Sequence, residues 1–136
     1  MDNKEKLIEH LKNSVKSANF ENEVYELVDE FKNYENPFVF VEPIIKLMEE
    51  NPTVDFGAPG ALVHFVEKFY KKGYEQLLVA SLERYPTVHT VWMLHRIIND
   101  SLCPNRLEYV GVLESIIKRA DVDIEVKEEA QRFLDS

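Results

Sequence analysis

The stretch YPTVHTVWMLHRIIND, residues 85–100, decides the fold. A helix through Val88, Val91, Trp92, Met93, Leu94, Ile97 and Ile98 keeps almost no polar face, and Pro86 stands where a first helical turn tolerates it. A helix apolar nearly all round must be covered by its neighbours. It is therefore expected at the centre of the molecule, with amphipathic helices on either side burying their own stripes against it.

The flanking sequence supplies those helices. Upstream, Asp2 and Glu5 have the spacing of a capping box, and Leu7, Ile8, Leu11 and Val15 fall on one face of a first helix ending near Ser17. Asn19 is placed to cap a second, with Val24, Leu27, Val28 and Phe31 as its stripe and Glu23, Glu26 and Glu30 opposite. A third helix starts at Pro37, and Pro43 within that run means either a start nearer Glu42 or a kink, of which the kink is expected. Its polar side carries Glu42, Lys46, Glu49 and Glu50, and Ile44, Leu47 and Met48 turn inward.

TVDFGAPG, residues 53–60, reads as a defined loop anchored by Phe56. The fourth helix turns Leu62, Phe65, Val66 and Phe69 inward, with Gly73 as terminator. The fifth, residues 74–84, buries Leu77, Leu78 and Leu82 and leads into the central sixth. Beyond SLCPN, Asn105 and Glu108 offer a second capping box for a seventh helix built on Val110, Leu113, Ile116 and Ile117. Asp123 is placed to cap an eighth, which turns Val126, Ala130, Phe133 and Leu134 inward. No segment sustains period-two alternation, so the chain reads as all-α. The 136 residues fit a single helical domain of about eight helices, packed as antiparallel pairs in a HEAT-like α-solenoid or a compact helical bundle.

Composition narrows the function classes. No apolar run approaches the ~20 residues of a membrane span, and the charged start MDNKEKLIEHLKN lacks a signal peptide's apolar segment. A cytoplasmic protein is expected. Cys103 is the only cysteine, which excludes an intramolecular disulfide and a cysteine-based zinc cluster. The net charge is −9, unevenly spread: residues 1–55 carry 13 acidic and 6 basic side chains, residues 56–120 carry 6 and 8, and residues 121–136 carry 6 and 2. This balance argues against binding nucleic-acid phosphates and suits a basic protein partner.

Chemistry is sparse. His64 and Glu67, three apart, can present two metal ligands on one helix face, but the second such pair of a dinuclear bundle site is missing. Cys103 with His89 or His95 would supply a nucleophile and a base, without any cysteine-protease signature around them. FGAPG has neither the lysine nor the spacing of a phosphate loop. Arg96, in the middle of the apolar helix, is expected to pair with Asp55, Glu67 or Asp100. No cofactor or metal is expected, and no enzyme activity. The remaining candidate is a partner-binding acidic face of Glu23, Glu26, Glu30, Glu42, Glu49 and Glu50, continuous if the second and third helices lie side by side.

Residues 55–100 add a resemblance. Asp55, Phe56, Gly57, Pro59 and Gly60, the run LVHFVE at 62–67, Pro86-Thr87 and the run VWMLHRIIN at 91–99 resemble segments of bacterial immunity proteins from polymorphic-toxin and contact-dependent growth-inhibition systems. The resemblance covers about a third of the chain. It implies a cytoplasmic protein that binds a cognate toxin C-terminal domain stoichiometrically and occludes it without catalysis. Many such toxins are basic nucleases, which would suit the acidic ends. A helical-repeat adaptor for protein–protein interaction is the alternative, and a small hydrolase using His64 and Glu67, or Cys103, a third.

Overall fold

The computed structural model describes residues 2–136. Among them are eight α-helices and no strand. The helices are α1 (Asn3–Ser14), α2 (Phe20–Lys32), α3 (Val41–Glu50), α4 (Ala61–Glu67), α5 (Tyr74–Arg84), α6 (Val88–Ile98), α7 (Arg106–Lys118) and α8 (Ile124–Leu134), with a 3₁₀ turn at Pro37–Phe40 before α3.

Helix α6 is central, as its composition requires. Every residue from 86 to 98 is buried or half-buried, and α3, α5, α7 and α8 all pack on it. Its start is fixed by Thr87 and not by Pro86. The Thr90 N–H donates to Thr87 Oγ1 at 3.1 Å and the Thr87 N–H to Thr90 Oγ1 at 3.0 Å, a reciprocal capping box in which both threonines are buried. Pro86 stands one residue before the cap.

The other helices stack in chain order. Consecutive helices pair, α1 with α2, α5 with α6 and α7 with α8. Alternate helices also touch: α1, α3, α5 and α7 form one layer, and in the other α2 meets α4 and α6 meets α8. Contacts of α6 with α3 and α7 cross between the layers and close the stack into a compact bundle. Its first half is filled by aromatic rings, with Phe31 stacked on Phe40 at 4.2 Å and Phe65 at 5.8 Å from Phe31.

Several local expectations are corrected. Pro43 lies in the first turn of an uninterrupted α3, where its missing N–H costs no bond, and the helix starts at Val41, near Glu42, after the 3₁₀ turn, in place of the expected kinked helix from Pro37. Helix α4 stops at Glu67, and Gly73 is the N-cap of α5 rather than the end of α4. At φ +113° Gly73 lies against Phe38, whose Cζ would stand 2.9 Å from an added Cβ. The turn between them is held by the buried carboxylate of Glu75, which accepts the N–H of positive-φ Lys71 at 2.9 Å through both oxygens. Asp2 does cap α1, accepting the Glu5 N–H at 2.8 Å. Asn19, Asn105 and Asp123 occupy their N-cap positions without a side-chain cap bond. In α7, Tyr109 is buried, whereas Val110 and Ile117 are only half-buried.

Candidate binding surface

The second and third helices do not lie side by side, the condition on which a single acidic face of the six glutamates rested. Helix α2 rests mainly on α1 and α4, and α3 on α5, so the two acidic trios lie on helices with different principal neighbours. Half of these residues are engaged. Glu23 is half-buried with Oε1 3.8 Å from His10 Nε2, and Glu42 lies 3.7 Å from Lys46 one helical turn on. Glu49, only 11% exposed at its side chain, accepts Arg84 Nε at 3.1 Å and a second bond from Arg84 Nη2. Glu26, Glu30 and Glu50 are exposed and, among the described residues, unpaired.

The residues considered for chemistry are occupied elsewhere. Arg96 meets Glu67, one of its three expected partners, in a bidentate pair: Nε donates at 2.7 Å and Nη2 at 2.9 Å, joining α6 to α4. Its guanidinium also lies 5.2 Å from the Trp92 ring. Glu67 is thus held toward α6, and exposed His64 has no second ligand; among the described residues no group of three His, Cys, Asp or Glu could hold a metal ion. The His89 ring sits between Phe56 and Trp92, each 5.3 Å away, and burial holds its pKa below the usual histidine value against an opposing pull from Asp55. His95 stacks on Phe133 at 4.0 Å. Among the described residues no hydrogen bond joins either histidine to Cys103, which is half-buried beside Tyr70.

Below the Glu67–Arg96 pair lies a cleft of about 360 Å³ lined by Glu67, Tyr70, Tyr74, Arg96, Ile97 and Asp100. Tyr70 donates to Asp100 Oδ2 at 2.7 Å, and Arg106 donates to the Asp100 carbonyl. Burial, then the bond to Asp100, pushes the Tyr70 phenol above its ordinary pKa. The buried Tyr74 hydroxyl has no partner among the described residues. This cluster ties the α4–α5 turn to the end of α6.

A second pocket, of about 180 Å³, opens where α2 and α4 begin. Its apolar walls are Phe20, Val24, Tyr25, Phe56 and Leu62, with Phe20 and Phe56 packed edge to face at 6.0 Å. Glu21 and Asp55 also line it, and Tyr25 is 71% exposed. The 53–60 loop builds one wall. The Gly57 N–H donates to Asp55 Oδ1 at 2.8 Å, and Gly60, at φ +85°, faces the Phe56 carbonyl so closely that a Cβ would stand 2.0 Å from its oxygen. This holds Phe56 buried, as the sequence requires of a loop anchor, and leaves Asp55 exposed at the rim.

Sequence reasoning missed this pocket. The available signal was a pair of aromatic–acid neighbours, Phe20-Glu21 at a helix start and Asp55-Phe56 in a loop, far apart in the chain. In comparisons with protein families, with curated proteins and with solved structures, the chain matches none. No helix among the described residues is long and apolar enough to cross a membrane.

Proposed function

We propose that this protein is a cytoplasmic immunity protein that binds a cognate toxin domain and neutralises it by stoichiometric occlusion, without catalysis. One observation carries the reading: the segment that resembles immunity proteins, residues 55–100, supplies the central helix and one wall of an apolar pocket whose other wall is acidic α2. That helix carries Glu21, Glu23, Glu26, Asp29 and Glu30 against a single Lys32, and Glu26, Asp29 and Glu30 are exposed. Such a surface steers a cationic partner toward itself, and an apolar pocket within it gives the partner a place to anchor. A basic nuclease domain has the matching charge.

The experiment is co-expression with the C-terminal domain of the protein encoded immediately upstream, scored by growth and by co-elution on a sizing column. Rescue with a one-to-one complex supports immunity. An adaptor role is the second reading, favoured by the ordered stacking of helix pairs, which presents extended surfaces to partners. Absence of rescue and of complex, with the toxin domain demonstrably active, would turn the assignment toward the adaptor.

A further inference from the structure

We infer that the pocket between α2 and the 53–60 loop receives a lysine or arginine side chain of the partner protein, the stem lying among the aromatic walls and the charged head meeting Glu21 and Asp55. The inference rests on the immunity reading for the identity of the partner, and on the pocket alone for its chemistry. Phe20, Val24, Phe56 and Leu62 offer an apolar channel that a purely polar ligand would leave unused, while two carboxylates beside them penalise an apolar or anionic occupant. A long cationic side chain satisfies both requirements. It also gains the exposed Tyr25 ring as a cation–π surface.

The electrostatics agree. Neither carboxylate is in an ion pair among the described residues, and Asp55 spends only Oδ1 on the Gly57 N–H, leaving Oδ2 free. No lysine or arginine lines the pocket. The nearest cation on α2 in sequence, Lys32, stands eleven residues beyond Glu21, about 16 Å along the helix axis. Both α2 and α4 start at this point, and their positive ends, about half a charge each, offset only part of the two carboxylates. Glu26 and Asp29 continue the negative potential along the exposed side of α2.

The test has two arms. In the first, the ¹⁵N-labelled protein is titrated with Nα-acetylarginine amide and with its neutral isostere Nα-acetylcitrulline amide. Saturable amide shifts are expected at Glu21, Tyr25, Phe56 and Gly57, at least about fivefold weaker for citrulline and abolished by Glu21→Gln with Tyr25→Ala. Equal response to both probes, or shifts confined to Glu26, Glu30 and Glu50, overturns the inference. In the second arm the double variant, altered only at exposed positions, is expected to keep its unfolding midpoint while binding the toxin domain about tenfold or more weakly. Undiminished binding by the double variant overturns the pocket's role. Failure of the wild-type protein to bind any toxin domain removes the functional reading instead, and the first arm still decides the pocket.

Discussion

Arg96 on α6 and Glu67 on α4 form a bidentate ion pair with N···O distances of 2.7 and 2.9 Å, the Arg96 guanidinium lying over the partly exposed Trp92 ring. The two side chains keep 33% and 25% exposure, so their desolvation cost is partial and their fork geometry is fixed at both ends. Replacing either one, by Arg96→Met or Glu67→Gln, strands the other in a half-buried site and is expected to cost about 1–2 kcal/mol. The double variant should cost less than the sum of the two single changes. Urea unfolding of all four proteins measures the coupling, and strict additivity would mean that the pair contributes nothing.

The two tyrosines of the neighbouring cleft should respond in opposite ways. Tyr70 donates to Asp100 at 2.7 Å, so Tyr70→Phe removes a made bond and is expected to cost about 1 kcal/mol. The Tyr74 hydroxyl is buried without a partner among the described residues, so Tyr74→Phe removes only an unmet polar group and should be neutral, or stabilising by up to about 1 kcal/mol. Parallel urea titrations decide between them. A loss for Tyr74→Phe equal to that of Tyr70→Phe would show that the Tyr74 hydroxyl finds a partner in solution.

Burial lowers the pKa of His89 from its ordinary 6.5 and, less deeply buried, also that of His95, where Arg132 adds to the effect. The sign follows from linkage. Below pH 6.5 the unfolded chain takes up protons that the folded chain refuses, so stability falls as pH drops from 6.5 toward the folded values and is intact above 6.5. His89→Gln, which cannot titrate, should flatten that fall. The check is the urea midpoint at pH 7.5 and 5.5 for both proteins, and an unchanged slope in the variant would assign the dependence to other groups.

How much of this was readable in the chain differs by level. The apolar ring of α6 announced its central place because a helix without a polar face has only one environment available, and the eight-helix count followed from the 3.6-residue stripes. Helix starts were harder, since a capping residue signals only the possibility of a bond. Asn105 with Glu108 has the letters of a capping box and makes no side-chain cap bond, while Thr87 with Thr90 makes a reciprocal one from residues that do not spell the motif. Pro43 is compatible with either a kink or a first turn, and only the packing of Phe40 and Val41 into the core selects the second. The acidic residues were visible but not their partners: Arg84 reaches Glu49 across 35 positions, and the pocket joins residues 20–25 to 55–62. Such juxtapositions are set by tertiary packing, to which local pattern is blind.

The six glutamates therefore divide into two experimental classes. Glu26 and Glu30 are exposed and unpaired on α2, so Glu26→Lys with Glu30→Lys should leave the unfolding midpoint within about 0.5 kcal/mol of wild type, because surface changes away from special contacts cost little. The same pair should weaken capture of a cationic toxin domain, chiefly by slowing association, and flatten its salt dependence, because steering by exposed charge is screened by ions. Glu49→Lys should do the reverse. It places a cation in a nearly buried site opposite Arg84, turning a bidentate attraction into repulsion, and is expected to destabilise the fold by about 2 kcal/mol or more without reporting on the partner. Association kinetics at two salt concentrations, alongside urea unfolding of the same variants, separate the classes. Full-speed, salt-sensitive association by the α2 variant would remove Glu26 and Glu30 from the interface and leave exposed Glu50, at the end of α3, as the remaining unpaired member of the six to test.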